Sequence, residues 1–434
     1  MSTVLPHAAS APLRRTRRAR SLGLALALAS TVALPPFMMY IGLASSMAVG
    51  VMVVCLSALA FALWRDPGVS IWPSRRGSAI AWIYGCICAH AGVVLLTGRM
   101  DVLRFGLSLG LLLVFLLGTV ALSRQLFSTS DAAMHGAATK TLVLLGLSGA
   151  MGLAGVAPRF GIEFGKPVFP FTEPSHFALS ALPFFLYYGV TGRGLARQLA
   201  LLAGVVASFA LQNLTMLSAA ALAVLICARP LTLALLSVPV VLALPMLDLQ
   251  YFAARLDFSP ESDNLSALVF AQGWQLIDES LRNSHFWGLG FQQLGVFGSQ
   301  VEFAVVINAL IGEDSNLSDG GFNFSKLVSE FGLFGLLATG LHLTFAGRFA
   351  MRLRRLAHRP IDMPRSTIFA CAVVVSFTVD LFIRGNGYFT ASSLMYVAAW
   401  MYLSSDRVDW HAQGLAGERP AWRARLPRRA AHGR

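Results

Sequence analysis

The chain has 434 residues, of which 56% are hydrophobic and only 13% are charged, and its formal net charge is +13. A soluble domain usually carries about a quarter charged residues, so this composition excludes a water-soluble enzyme. The hydrophobic residues suffice for about a dozen helices of about 20 residues, the length that crosses a bilayer. The sequence therefore predicts an all-α, polytopic membrane protein.

Apolar runs bounded by polar residues, Gly or Pro predict twelve membrane spans. They lie at about 21–40, 44–64, 79–97, 102–122, 139–158, 174–191, 196–211, 213–228, 230–247, 322–346, 367–384 and 388–404. Pro35 and Pro36 predict a break or a kink at the end of the first span, because proline lacks the amide hydrogen that a helix requires. The seventh and eighth spans are short, and only Gln212 and Asn213 separate them.

The basic residues test this threading and give it a direction. With a cytoplasmic N-terminus, 26 of the 34 Lys and Arg fall on the cytoplasmic side, and 15 of the 21 acidic residues fall on the other side. This is the asymmetry of the positive-inside rule, so both termini are predicted to be cytoplasmic. The basic clusters lack the interleaved aromatics of single-strand binders, which favours the lipid bilayer over nucleic acid as partner.

The threading divides the chain into five regions. They are a basic tail at 1–20, spans one to nine at 21–247, a long outer segment at 248–321, the last three spans at 322–404, and a basic tail at 405–434. In the outer segment, apolar residues recur at helical spacing between Leu265 and Ile277, with Asp263 as the predicted N-cap. A second amphipathic run extends from Val301 to Leu310. We expect one or two helices lying on the outer membrane surface beside a pocket.

Two pairs of opposite charges enter the predicted spans near their outer ends. Lys326 and Glu330 lie in the tenth span, Asp380 and Arg384 lie in the eleventh, and the spacing of four places each pair on one helix face. Either the pairs neutralise themselves, or they form a polar chamber that opens to the outer segment. We favour the chamber, because charges inside a membrane are costly and usually functional. Its other walls would be Glu173, Ser175, His176, Arg159, Arg255, Arg282 and His285.

Other polar or reactive residues are interpreted as packing. His90 stands alone among small residues of the third span, and all five cysteines lie inside apolar runs. The chain has no His, Cys and carboxylate cluster with metal-ligand spacing and no phosphate-binding P-loop sequence, so we predict neither a metal nor a cofactor. The cysteines are Cys55, Cys86, Cys88, Cys227 and Cys371.

Three stretches carry a resemblance to a known superfamily. They are Phe171-Thr-Glu-Pro-Ser-His-Phe177, the segment from Gly273-Trp274 to Gly288-Leu-Gly-Phe291, and Lys326-Leu-Val-Ser-Glu-Phe-Gly-Leu-Phe-Gly335. Together with the twelve spans and the late outer segment, they resemble the bacterial Wzy-type polysaccharide polymerases and O-antigen ligases. The resemblance implies glycosyl transfer from an undecaprenyl-diphosphate-linked oligosaccharide on the periplasmic face of the inner membrane. It also implies a flippase and a chain-length regulator as pathway partners.

One departure separates the two branches. Ligases typically carry a His-Asn pair about nine residues before their Glu-x-Gly, and Gly321 and Phe322 occupy those positions here. This favours an exopolysaccharide or capsule polymerase, unless His285 or His176 replaces the ligase histidine in space. An O-antigen-type ligase remains the first alternative, and a glycolipid flippase or another carrier remains the second.

The residue types suggest roles in such a reaction. Arginine forks match phosphate oxygens, so Arg255 and Arg384 are the first candidates for holding the diphosphate. A carboxylate can accept a proton from a sugar hydroxyl. The candidate bases are Glu173 and Glu330, with His285 as the alternative, and the further substrate-binding candidates are Lys326, Arg282, Arg159 and His176.

The charge asymmetry generates a topology prediction. A reporter that is active only in the periplasm should work when it is fused near Asn316 and should fail when it is fused near Arg355, because the two positions lie on opposite sides of the threading. Reporter activity normalised to fusion-protein level is the measurement. The reverse pattern would place the predicted chamber on the cytoplasmic face and contradict periplasmic chemistry.

Overall fold

The computed structural model describes residues 11–65, 75–96, 100–127, 129–158, 160, 166–229, 255–312, 316–359 and 363–404, with 233–234, 237–238, 241 and 253. These residues form fourteen α-helices, and within them the only β pairing is an isolated bridge between Val168 and Phe171. The predicted all-α class is thereby confirmed for the described part of the chain. Most of the predicted ninth span, 230–247, and the tail 405–434 lie outside the described residues.

The helices follow the order of the predicted elements. The first eight are α1 (Ala11–Tyr40), α2 (Met47–Arg65), α3 (Arg75–Leu95), α4 (Val102–Phe127), α5 (Asp131–Leu153), α6 (Pro174–Thr191), α7 (Gly194–Ala210) and α8 (Leu214–Cys227). The remaining six are α9 (Leu265–Asn283), α10 (Glu302–Ile311), α11 (Asn323–Phe331), α12 (Leu333–His358), α13 (Arg365–Phe382) and α14 (Ala391–Leu403).

Six of these helices, namely α1, α2, α4, α5, α12 and α13, are long and apolar enough to cross a membrane. Their outer faces are apolar too. In α4, Leu103, Leu107 and Leu111 recur every fourth residue and are exposed, whereas Leu112 and Phe115 are buried against neighbouring helices. An exposed leucine stripe of this length is typical of a surface solvated by lipid tails. The chain is therefore a membrane protein.

Helix α13 lies at the centre of the bundle. Of the residues in its candidate span, 78% are buried inside the protein, compared with 28% to 50% for the other five candidate spans. It packs against α6, α12 and α14, and it also contacts α5 and α11. Small residues such as Ala370 and Ala372, both fully buried, permit this close approach on several sides. As a result, the two ends of α13 and α6 are the places where polar residues from several helices meet.

Two predicted boundaries differ from the structure. The candidate span Leu22–Tyr40 agrees with the predicted first span, but α1 already begins at Ala11 and continues through Pro35 and Pro36 to Tyr40, so the predicted break is absent. Gly50 of α2 packs against Pro35, where a β-carbon would collide with the proline. The predicted basic link at 347–366 is helical as far as His358, because α12 extends beyond the apolar run.

The predicted tenth span, 322–346, is wrong as a single helix. It consists of α11 and α12, separated at Gly332, whose backbone has φ 57° and ψ −130°. A residue with a β-carbon rarely adopts this conformation. The apolar sequence pattern continues on both sides of Gly332, so the break between the two helices is visible only in the backbone conformation. Lys326 and Glu330 consequently lie in a short separate helix, outside the candidate span that begins at Leu333.

The outer segment contains the two predicted amphipathic helices, α9 and α10. Leu268, Val269 and Ile307 form one small core between them, and a second core joins Leu276 and Leu294. The predicted N-cap is off by one residue, because the side chain of Asn264, rather than that of Asp263, accepts the amides of Ser266 and Ala267. Helix α9 also packs on α11, which ties the segment to the bundle.

Candidate functional site

The candidate site is a cavity of about 930 Å³ at the end of the bundle where α6 begins and α13 ends. Its walls come from the start of α6, the connection between α7 and α8, residues 255–258, the first turns of α9, and the residues after α13. Four of the predicted site residues line it together: Glu173, His176, Arg255 and Arg384. These residues lie as far as 211 positions apart in the chain, so the fold, and not a local motif, assembles the cavity.

Glu173 and Arg384 form the ionic contact of this cavity. Arg384 Nη2 lies 3.3 Å from Glu173 Oε2, and the Ser175 hydroxyl donates to the same oxygen at 2.9 Å. Burial by itself would raise the pKa of Glu173, but the electrostatic interactions with His176 and Arg384 and the hydrogen bonds from Ser175 and Arg384 outweigh it. The net effect lowers the pKa of Glu173 below its ordinary value. Glu173 is therefore ionised at neutral pH and is able to accept a proton.

His176 is held from both sides. Its Nδ1 lies 3.2 Å from the Thr172 hydroxyl, and its Nε2 lies 3.1 Å from Asn386 Oδ1. Because an amide oxygen only accepts, Nε2 donates to Asn386, and Nδ1 is the acceptor for Thr172. The ring is buried, so this pair of bonds fastens the segment after α13 to the start of α6. Asn386 lies two residues after Arg384, so the same bonds anchor the segment that carries Arg384.

Two further residues, one that lines the cavity and one that bonds to a lining residue, were not among the predicted site residues. Lys166 lines it and donates from Nζ to Gln212 Oε1 at 2.9 Å, which adds a third cation beside Arg255 and Arg384. Asn386 anchors His176, as described above. No local pattern singles out Lys166, since it is an isolated lysine in a predicted outer link. The Gly-Asn-Gly sequence around Asn386 was a signal, because glycines on both sides of a polar residue indicate a shaped turn.

Lys326 and Glu330 lie elsewhere and form a buried ionic cluster. Both side chains are almost fully inaccessible, and Lys326 Nζ lies 3.6 Å from Glu330 Oε1 and 3.6 Å from Asp319 Oδ1. The same ammonium donates to the Ser318 carbonyl and lies 5.3 Å from the centre of the Tyr388 ring. Neither residue lines the cavity described above. The predicted shared chamber therefore divides into one open cavity and one closed ionic cluster.

The Glu330 carboxylate holds the glycine-rich loop of the outer segment. Oε2 accepts the amide of Gln292 at 2.9 Å, and Oε1 lies 3.5 Å from the amide of Leu294. Burial raises the pKa of Glu330, and Lys326 and these two amides counteract the rise. The backbone of Glu330 also holds this loop, because the amide of Gly290 donates to the Glu330 carbonyl at 2.8 Å. Glu330 thus positions the loop.

Gly288 explains why this loop is rich in glycine. Its φ is +88°, and a β-carbon there would lie 2.5 Å from the Glu330 carbonyl oxygen. The sequence left open whether the Gly288-Leu289-Gly290 stretch approaches a ligand or simply turns. In the structure, the stretch approaches the backbone at the end of α11.

The predicted Asp380–Arg384 pair is not formed. Helix α13 ends at Phe382, so position 384 no longer follows the helical face of position 380. Asp380 Oδ1 accepts the Ser392 hydroxyl at 2.5 Å, and Arg384 turns to Glu173 instead. A helix end near the second residue of an i, i+4 pair removes the geometry on which the pair depends.

The remaining predicted residues lie outside the cavity or outside the described residues. Arg282 is exposed and pairs with Asp278 one helical turn away at 2.9 Å. His285 is exposed and has a left-handed backbone with φ 50°. Neither lines the cavity, and Arg159 falls outside the described residues.

The packing interpretation of the cysteines and His90 holds with one exception. Cys55, Cys227 and Cys371 are buried, and Cys88 is half-buried. Cys86 is exposed, because residues two apart on a helix point in nearly opposite directions. His90 bonds through Nε2 to the Trp287 carbonyl at 2.8 Å, which joins α3 to the outer segment.

Comparison with protein-family models, with curated proteins and with solved structures finds no match to this chain.

The ionic cluster generates a stability prediction. Lys326→Met should destabilise the protein by about 3–5 kcal/mol, because it leaves the buried Glu330 carboxylate without its countercharge. The double variant Lys326→Met with Glu330→Gln should recover part of this loss. The measurement is the thermal midpoint of the purified protein in detergent.

Arg282→Ala is the matched control for this experiment. It removes a cation from an exposed pair with Asp278, which water can replace, so its thermal midpoint should stay close to that of the wild type. A Lys326→Met protein that is as stable as the wild type would contradict the structural role.

Proposed function

We propose that the chain is a glycan polymerase of the bacterial inner membrane, which joins undecaprenyl-diphosphate-linked repeat units on the periplasmic face during exopolysaccharide or capsule synthesis. The growing chain on its lipid diphosphate is the donor, and a single lipid-linked repeat is the acceptor. The observation that carries the proposal is the cavity in which one carboxylate, Glu173, lies among three cations, Lys166, Arg255 and Arg384.

The size and charge of the cavity suit this substrate. A volume of about 930 Å³ lies at the upper end of the range for ligand sites and accommodates sugar rings with a diphosphate. The three cations offset most of the charge of a diphosphate, and Arg384 offers the fork geometry that a lysine lacks. Apolar residues such as Leu256, Phe258 and Phe270 line the rest of the wall and suit the faces of sugar rings or the first prenyl units.

The proposed step uses these groups directly. A hydroxyl oxygen of the acceptor attacks the anomeric carbon of the donor, and the bond between that carbon and the diphosphate oxygen breaks. The diphosphate leaves with the electron pair, stabilised by Arg384 and Arg255, and the hydroxyl proton passes to Glu173. Attack from the face opposite the leaving group inverts the anomeric centre. The depressed pKa of Glu173 keeps it in the carboxylate form that this step requires.

A ligase that transfers the glycan to a final acceptor is the second candidate. Ligases of the resembled superfamily carry a His-Asn pair, which is absent at the corresponding sequence positions. His176 and Asn386 nonetheless meet at 3.1 Å beside Arg384. This contact between a histidine and an asparagine from distant parts of the chain is the observation that favours the ligase.

Deletion of the gene separates the two reactions. For a polymerase, high-molecular-weight polymer should disappear while lipid-linked single repeats persist or accumulate. The measurement is the size distribution of lipid-linked and free glycan extracted from the deletion strain. Long chains that still form on undecaprenyl diphosphate, with only their final transfer lost, would replace the polymerase proposal by the ligase.

Substitutions in the cavity test the proposed roles. Arg384→Ala should lower polymer yield by about 10²-fold, because it removes a charged donor from the leaving group. Arg384→Lys should also be impaired, since an ammonium lacks the bidentate fork. Glu173→Gln should lower the yield by at least about 10²-fold, because an amide cannot accept the proton. Yield is normalised to the amount of protein in the membrane.

The double variant Arg384→Ala with Glu173→Ala distinguishes chemistry from pairing. If the two residues only neutralise each other, removing both restores activity. If they act on the substrate, the double variant reaches the membrane and remains inactive. Arg282→Ala, which breaks an ion pair outside the cavity, is the control and should keep full activity.

A further inference from the structure

A second cavity, of about 860 Å³, lies at the opposite end of α6 and α13. Its walls are the end of α6, the start of α7, the residues after α8, the end of α12 and the start of α13. Helix α6 has 18 residues, which at 1.5 Å per residue separates its two ends by roughly 27 Å. The basic cavity, as we call it, is therefore distinct from the candidate site and has no part in the proposed reaction.

The lining of the basic cavity carries a strong positive charge. Among the described residues that line it, the only acidic one is Asp131, and Asp131 Oδ1 accepts the backbone amide of Arg365 at 2.9 Å. A smaller cavity of about 460 Å³ shares His358 and Arg359 with it and adds Arg354 and Arg355. The arginines of the larger cavity are Arg193, Arg197, Arg229, Arg359 and Arg365, and His358 lines it as well.

Only some of these arginines are hydrogen-bonded to carbonyl groups at helix ends. Arg197 donates to the carbonyls of Gly192 and Ala357, which closes the ends of α6 and α12, and Arg354 donates to the Leu225 carbonyl at the end of α8. Such contacts are the usual way in which arginine stabilises helix C-termini. They explain two of the arginines as structural.

Four arginines of the basic cavity have no such explanation. Among the described residues, the side chains of Arg193, Arg229, Arg359 and Arg365 form no ion pair and donate no hydrogen bond. Arg193, Arg229 and Arg359 are exposed and Arg365 is half-buried, so their like charges surround the cavity and attract an anion. His358 Nδ1 is also buried without a hydrogen-bond partner there, and His358 lines the same cavity.

The surroundings indicate what kind of anion fits. Leu195 of α7 and Leu225 of α8 are each 67% exposed and flank the basic cavity in sequence, and Met351 of the adjoining smaller cavity is 56% exposed. Basic side chains next to an exposed apolar face match a headgroup phosphate with acyl chains beside it. Guanidinium groups bind phosphate oxygens in bidentate geometry.

We propose that the basic cavity binds a negatively charged phosphate group, supplied by an anionic phospholipid headgroup. Arg193, Arg229, Arg359 and Arg365 hold the phosphate oxygens, and the exposed leucines of α7 and α8 contact the acyl chains. A soluble phosphate or diphosphate shares the same chemistry, and the test distinguishes the two sources.

The test uses the full-length protein in nanodiscs. In phosphatidylcholine nanodiscs containing one fifth phosphatidylglycerol, native mass spectrometry should find phosphatidylglycerol retained by the wild-type protein at least fivefold above its share of the bilayer. The double variant Arg229→Gln with Arg359→Gln should lose this enrichment. The control, Arg282→Gln with Arg348→Gln, removes the same charge outside the basic cavity and should keep it.

A second experiment distinguishes a lipid phosphate from a soluble phosphate. Inorganic pyrophosphate, added to the protein in pure phosphatidylcholine nanodiscs, should raise the thermal midpoint of the double variant and of the wild type equally if a lipid is the ligand. A rise confined to the wild type would retain the cavity as a phosphate site and assign a soluble anion to it. Equal phosphatidylglycerol retention by the double variant and the control would overturn the proposal. No enrichment on the wild-type protein would overturn it as well, whether or not the variants fold.

Discussion

The contacts of the buried Glu330 carboxylate are the interaction on which the packing of the outer segment depends. It reaches the ammonium of Lys326 on its own helix and the amides of Gln292 and Leu294 in the outer segment. A buried charge is tolerated only when several partners solvate it, so these contacts form together or not at all. Through them, α11 fixes the glycine-rich loop, and α9 packs on α11 and lines the cavity together with the start of α6.

A second constraint is the separation of charge from the middle of the bundle. Helix α13 is the most buried candidate span, and its single interior carboxylate, Asp380, lies near its end and is bonded to Ser392. Because charges are excluded from the middle, they accumulate at the two ends, where α6 and α13 each border a cavity. One end holds a carboxylate facing cations, whereas the other holds cations almost alone. The two ends therefore favour different ligands.

The sequence predicted the helices better than the contacts between them. Apolar runs mark helices because burial and lipid exposure both require them, and this signal survives without any tertiary information. The partner of Arg384 depends on where α13 ends, and its actual partner, Glu173, lies 211 positions away. No spacing rule reaches that far. The division between α11 and α12 was missed for another reason, since the apolar pattern continues on both sides of Gly332.

Gly332 also limits how this part of the chain can vary. Its backbone has a φ of 57°, and an added β-carbon would collide with the carbonyl of Phe286. In the genetic code, every single-base change of a glycine codon is either silent, a stop signal or a replacement that carries a side chain. No single-base change therefore replaces Gly332 by a residue that fits this backbone conformation and this close contact. The break between the polar helix α11 and the long helix α12 therefore depends on this one glycine. A related sequence either keeps the glycine or changes the loop that packs against it.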